Sequence, residues 1–145
     1  MMGADKGRAL LWHGIFLFLL GLLTGLTTGL MNNPRMGLSS HLEGVMNGLF
    51  LLALGLVWGR LRLSARWLTA LFWLALYGTY VNWASTLAAA IFGTGRMTPI
   101  AGAGHHAAAW QENLVDAGLY SLSVAMLAVC VIALVGLRPG ADAPR

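Results

Sequence analysis

Long apolar stretches alternate with short polar ones along this chain. Residues 9–34 and 67–95 contain no Asp, Glu, Lys or Arg, and residues 117–137 form a third uncharged run. Each reaches the roughly 20 apolar residues that cross a hydrocarbon core. With no water at that depth the backbone must satisfy its own polar groups, which means helix. A fourth run, residues 44–59, has only 16 residues. To cross, its helix must draw His41 and Glu43 to the hydrocarbon boundary or below, or else thin the bilayer at a cost. The pattern predicts helices near residues 8–30, 41–59, 67–92 and 111–137, with loops at 31–40, 60–66 and 93–110. Pro34 and Pro99 fall in two of the loops, where a missing N–H does least harm. Ser39 and Ser40 are candidate N-caps for the second helix, and the tail after Pro139 is expected to fray. There is no internal repeat and no sign of a second domain. The expected fold is all-α: a single integral membrane four-helix bundle.

Composition supports lipid as the solvent. The 145 residues are 58% hydrophobic and 10% charged, against about 25% charged in a typical soluble domain. The net charge of +4 does not signal nucleic acid, because the basic residues lie between apolar segments and no P-loop, zinc-finger spacing or basic helix is present. Lys6, Arg8, Arg60, Arg62, Arg66, Arg138 and Arg145 fall on one side of a four-span topology and only Arg35 and Arg96 on the other. That asymmetry puts both termini in the cytoplasm. Lys6 and Arg8 resemble the start of a signal peptide, but the apolar run is too long and no small-x-small cleavage site follows it. The single cysteine, Cys130, sits in an apolar run and reads as packing.

Candidate chemistry concentrates where the second helix starts, at His41-Leu42-Glu43-Gly44-Val45-Met46-Asn47-Gly48. Ionisable and amide side chains at membrane depth are costly and usually bind something or do chemistry. Gly14, Gly21, Gly25 and Gly29 give the first helix a face for close helix packing. Gly44, Gly48 and Gly55 do the same for the second, or else seat a planar cofactor, because His41 lies beside that stripe. Histidine is a frequent metal and haem ligand, and the plain alternative is a helix-start histidine bonded to water or to Glu43. In the third segment Tyr77, Tyr80, Asn82 and Thr86 are candidates, with Tyr80 expected on the side of Asn82. Glu112 and Asp116 are expected at the membrane interface, His105 and His106 in a solvated loop, and His13 beside Trp12 as an interfacial anchor. No nucleophile–base–acid triad stands out, so chemistry here calls for a Lewis acid or a cofactor.

Three stretches carry a likeness. Leu11-Trp12-His13-Gly14, Asn33-Pro34-Arg35-Met36-Gly37-Leu38-Ser39-Ser40-His41-Leu42-Glu43-Gly44 and Leu76-Tyr77-Gly78-Thr79-Tyr80-Val81-Asn82-Trp83 resemble the hydroxylaminobenzene mutase family over nearly the whole chain. The chain is more distantly similar to styrene oxide isomerases, small four-helix membrane proteins that form trimers and hold ferric haem b between subunits. In that family a histidine ligates the iron and an asparagine six residues later helps position the substrate, the spacing of His41 and Asn47. His13-Gly14 and Asn82 also match. A catalytic tyrosine expected four residues after Asn82 is replaced by Thr86, leaving its role to Tyr80 or Tyr77, or to nothing.

The resemblance implies an isomerase of the bacterial inner membrane, a homotrimer, acting on a small aromatic substrate. It implies haem b with His41 as axial ligand and Gly44 and Gly48 against the cofactor, and Asn47, Tyr80, Asn82 and Tyr77 as catalytic residues. The reaction would move a hydroxyl from nitrogen to the ortho carbon of an aryl hydroxylamine, giving a 2-aminophenol; epoxide isomerisation is the alternative chemistry. Two other classes fit the pattern: a small transporter using Glu43 and Asp116 as proton-coupled carboxylates, and an electron-transfer anchor with haem held between His41 and His13, His105 or His106.

Overall fold

The computed structural model describes residues 3–139. The tail beyond Pro139, and with it Arg145, lies outside the described residues. The order is α1 (Gly3–Thr27), a 3-10 turn (Thr28–Leu30), α2 (Pro34–Val57), a second 3-10 turn (Trp58–Arg60), α3 (Ala65–Phe92), α4 (Pro99–Gly102) and α5 (Ala109–Gly136). No strand occurs among the described residues. Three segments are long and apolar enough to cross a membrane: Asp5–Leu30, Pro34–Arg60 and Ala109–Gly136. At 28 residues α3 is equally long. Tyr77, Thr79, Tyr80, Asn82, Ser85 and Thr86 interrupt its apolar run, and it is not among those three. Two of its buried hydroxyls are satisfied within the helix: Thr79 Oγ1 donates to Ala75 O at 2.7 Å and Thr86 Oγ1 to Asn82 O at 2.9 Å.

The second helix begins seven residues earlier than the sequence pattern predicts. Asn33 is its N-cap, accepting from Met36 N at 3.1 Å through Oδ1, and Pro34 takes the first turn, where its missing N–H costs nothing. Ser39 and Ser40 are therefore not caps. Ser40 is fully buried and its Oγ donates across to Trp83 O at 3.2 Å. The span is not undersized either. With Pro34–Arg60 available at 27 residues, His41 lies about 10 Å along the helix from its start, at 1.5 Å per residue.

Glycine decides how α1 meets α2. A Cβ on Gly21 would stand 2.6 Å from Val45 N, one on Gly44 2.5 Å from Gly21 Cα, and one on Gly48 2.7 Å from Phe18 N. The two backbones touch, as small residues at four-residue spacing allow. Against this hairpin α3 packs Leu71, Phe72, Ala75 and Leu76, meeting Leu10, Leu17, Leu51 and Leu54 in one buried cluster. α5 packs on α3, with Met126 over Gly78 and Ser85 against Gly118. Large apolar side chains such as Leu26, Leu30, Leu56 and Val124 point outward, as a surface in lipid requires.

Candidate functional site

Two polar arrangements flank α2. The first centres on His41. Its Nδ1 lies 2.8 Å from the carbonyl oxygen of Gly21. A carbonyl only accepts, so Nδ1 carries a proton, and in the neutral ring the lone pair is on Nε2. This is the tautomer in which an imidazole ligates a metal, its other nitrogen oriented by a backbone carbonyl. Gly25 makes the seat: a Cβ there would fall 2.6 Å from His41 Nδ1. The ring lines a groove of about 550 Å³ together with Leu22, Gly25, Leu26, Thr28 and Leu38. That size suits a small-molecule or cofactor site, which is typically about 300–1,000 Å³ and mostly apolar. Among the described residues no three His, Cys, Asp or Glu side chains gather, so His41 stands without protein co-ligands. A single imidazole lining an apolar groove is a donor that would fit haem iron.

The second arrangement centres on Glu43, which the sequence offers as a partner of His41 or as a proton-coupled carboxylate and which the structure joins to two asparagines instead. Asn47 Nδ2 donates to the Glu43 backbone carbonyl at 2.8 Å and to Glu43 Oε2 at 3.1 Å. From α3, Asn82 Nδ2 donates to the same Oε2 at 2.7 Å. Two amides thus converge on one carboxyl oxygen. The only ion pair among the described residues joins Arg96 to Asp116, so no cation compensates Glu43. The i, i+4 spacing of Glu43 and Asn47 was the available signal for this trio.

The structure brings together Asn47 and Asn82 but not the rest of the expected set. Glu43 is two residues from His41, about 200° around the helix, so His41 and the trio occupy opposite flanks of α2. Gly44 and Gly48, expected against a planar cofactor, are covered by α1 instead; their face is spent on the helix contact. Tyr80 does not join Asn82's side. Two residues and about 200° away, its hydroxyl lies 2.9 Å from His13 Nδ1, and the two rings meet edge to face. Tyr77 faces α5 and donates to Ser121 Oγ at 2.7 Å.

The remaining candidates also find other partners. His13 is twelve residues from Gly25, about 18 Å along α1, and cannot share an iron with His41 of the same copy. His105 Nδ1 bonds to Gly102 O at 2.9 Å in an exposed loop. Asp116, offered above as a proton-coupled carboxylate, pairs with Arg96 at 2.6 Å. Glu112, expected at the interface, is 5% exposed and accepts from Gly95 N, Arg96 N and Ala107 N at 3.2–3.3 Å. It clamps the loop before α5.

The family model for styrene oxide isomerase matches residues 6–138. The chain is 57% identical over 136 residues to hydroxylaminobenzene mutase HabB of Ectopseudomonas oleovorans, covering 93% of this chain and 83% of that protein. It is 45% identical over 125 residues to hydroxylaminobenzene mutase HabA of the same organism, covering 86% and 93%. No solved structure matches it.

Proposed function

The chain belongs to the styrene oxide isomerase family and is an isomerase, and from that premise we propose that it converts aryl hydroxylamines of the hydroxylaminobenzene type to 2-aminophenols. Both curated relatives carry the name of that activity. We further propose haem b as its cofactor, held by His41. The observation that carries the cofactor is the 2.8 Å bond from His41 Nδ1 to Gly21 O, which engages Nδ1 and leaves Nε2 for a ligand beside an apolar groove. Ferric haem, when bound, supplies a Lewis acid for an oxygen ligand.

The chain's own residues do the rest. The amide protons of Asn47 are spent on Glu43 and those of Asn82 partly so. Their Oδ1 atoms are left to accept from the N–H of the substrate and fix its orientation. The apolar surroundings exclude bulk water, which would otherwise capture an electron-poor ring at the wrong carbon. His41 and the Asn47–Glu43–Asn82 trio lie on opposite flanks of α2, so one copy does not present both to one substrate. A homotrimer resolves this by apposing the His41 flank of one copy to the trio of the next. All four long helices then cross a bacterial inner membrane with both termini cytoplasmic, as the asymmetry of basic residues favours.

The test is an absorption spectrum of detergent-purified protein, with an assay on hydroxylaminobenzene carrying oxygen-18 in its hydroxyl. The expected result is a Soret band that His41→Ala abolishes, and 2-aminophenol that retains the label. A His41→Ala protein with full haem content overturns the ligand; complete loss of label to water overturns intramolecular transfer. The family's name favours a second substrate class, arene epoxides. Isomerisation of styrene oxide in preference to hydroxylaminobenzene would select it.

A further inference from the structure

Glu43 is the one carboxylate at membrane depth that the positioning role leaves half used. It lies nine residues into Pro34–Arg60, about 14 Å along the helix, and no cation pairs with it among the described residues. An uncompensated carboxyl in such a place is costly and calls for a function. Its two oxygens are treated differently. Oε2 accepts from both Asn47 and Asn82. Among the described residues nothing donates to Oε1. The amides therefore hold the carboxyl plane in place while one oxygen stays open, and the side chain is only partly buried. That is the geometry of a fixed base with a vacant lone pair.

The reaction has a step that needs such a base. Once the hydroxyl oxygen has moved to the ortho carbon, that carbon bears both H and OH, and the neighbouring carbon is doubly bonded to nitrogen. The product differs only in the position of one proton, which must leave carbon and arrive on nitrogen. Water performs such transfers freely in solution, but a site that protects an electron-poor ring excludes water. The same asparagines that would hold the substrate nitrogen also hold the carboxyl.

Resting on the aryl hydroxylamine reading above, we propose that Glu43 is a catalytic residue that carries this proton through Oε1. The C–H bond at the ortho carbon breaks and its electron pair restores the aromatic ring. The ring C=N pair takes up the proton as a new N–H bond. Glu43 ends in the state in which it began, and no oxidant or reductant is consumed.

The experiment compares the full-length parent with Glu43→Gln and Glu43→Asp. The substrate is hydroxylaminobenzene, either unlabelled or deuterated at both ortho positions. Glutamine keeps an oxygen for the asparagine amides but takes no proton. It is expected to lower kcat by about 100-fold, the scale of a lost general base, and to bring out a normal deuterium isotope effect absent from the parent. Aspartate keeps the carboxyl but withdraws it by one methylene, and is expected to fall between the two with the isotope effect visible. It carries the test alone should the glutamine variant fail to fold. A slowed variant without an isotope effect, or a glutamine variant with parental kcat, overturns the proton role and leaves the activity standing. A parent that forms no 2-aminophenol overturns the substrate reading itself.

Discussion

The two flanks of α2 are made of opposite materials. Towards α1 the helix shows glycine and one imidazole. Backbones touch there, and the ring of His41 is held by a carbonyl and admitted by the missing Cβ of Gly25. Towards α3 it shows a carboxyl and one amide, joined to each other and to Asn82 of α3 by side-chain hydrogen bonds that a shift of a few tenths of an ångström would survive. The first flank is set by sterics and tolerates no added volume. The second is set by polarity and tolerates changes of shape but not of chemistry. One helix thus carries a rigidly held histidine and an adaptable polar cluster on opposite flanks.

Filling the steric flank should give the largest effect. Gly44→Leu drives a branched side chain into the Gly21 backbone, where no flexible neighbour can yield. The expected loss is about 3 kcal/mol or more, at the upper end of overpacking penalties, against a helix-propensity gain of only about 1 kcal/mol. Thermal unfolding in detergent measures it. A variant as stable as the parent would show that α1 and α2 can separate without consequence.

A smaller intrusion separates the fold from the ligand seat. Gly25→Ala places a methyl group 2.6 Å from His41 Nδ1, so the ring must leave the Gly21 carbonyl while α1 and α2 stay in contact. On the proposed haem reading, the expected outcome is loss of the Soret band and of nearly all activity, with unfolding temperature close to the parent's. Retention of both would mean that His41 needs no fixed tautomer. On the polar flank the expected losses are more graded. Asn82→Ala and Asn47→Ala each leave Glu43 with one amide instead of two. The loss of one such charge-assisted bond, about 1.5–3 kcal/mol, corresponds to roughly 10- to 150-fold in kcat/KM if the carboxyl is then misplaced. Unchanged haem absorbance in both variants would keep the two flanks distinct, and haem loss in either would merge them.

What the sequence made legible follows the same division. Uninterrupted apolar runs announce helices, and glycines four apart announce close packing, because both signals are local and periodic. Gly44 and Gly48 show the limit of that signal: spacing says that something comes near, not whether it is a helix or a cofactor. The start of α2 was misplaced because Pro34 reads equally as a loop residue or as a first-turn residue. Only the bond from Met36 N to Asn33 Oδ1 decides. For Glu43 the sequence offers His41 or a transported proton as partner but not Asn82, because half of its environment arrives from 39 residues away. Glu112 is legible only as an interfacial acid, and its clamp on the loop before α5 is not. Its partners are backbone N–H groups, and every residue type but proline supplies those.

The two tyrosines give the smallest effects, and they test whether chemistry is confined to α2 and its immediate partners. Both stood beside Asn82 in the motif, yet Tyr80 turns to His13 and Tyr77 to Ser121. Tyr80→Phe removes the hydrogen-bond partner of a half-buried imidazole between α1 and α3, at an expected cost of about 1–2 kcal/mol in stability. Tyr77 is 46% exposed, and Tyr77→Phe should cost about 0.5 kcal/mol or less, the low end for one hydrogen bond. Neither should change kcat on hydroxylaminobenzene, because neither hydroxyl reaches the trio or the His41 groove within a copy. A large fall in kcat for Tyr80→Phe at unchanged stability would bring the His13–Tyr80 pair into the chemistry. It would also mean that a neighbouring copy carries that pair to the site, since no rotation about α3 turns Tyr80 towards Asn82 while Asn82 keeps its bond to Glu43.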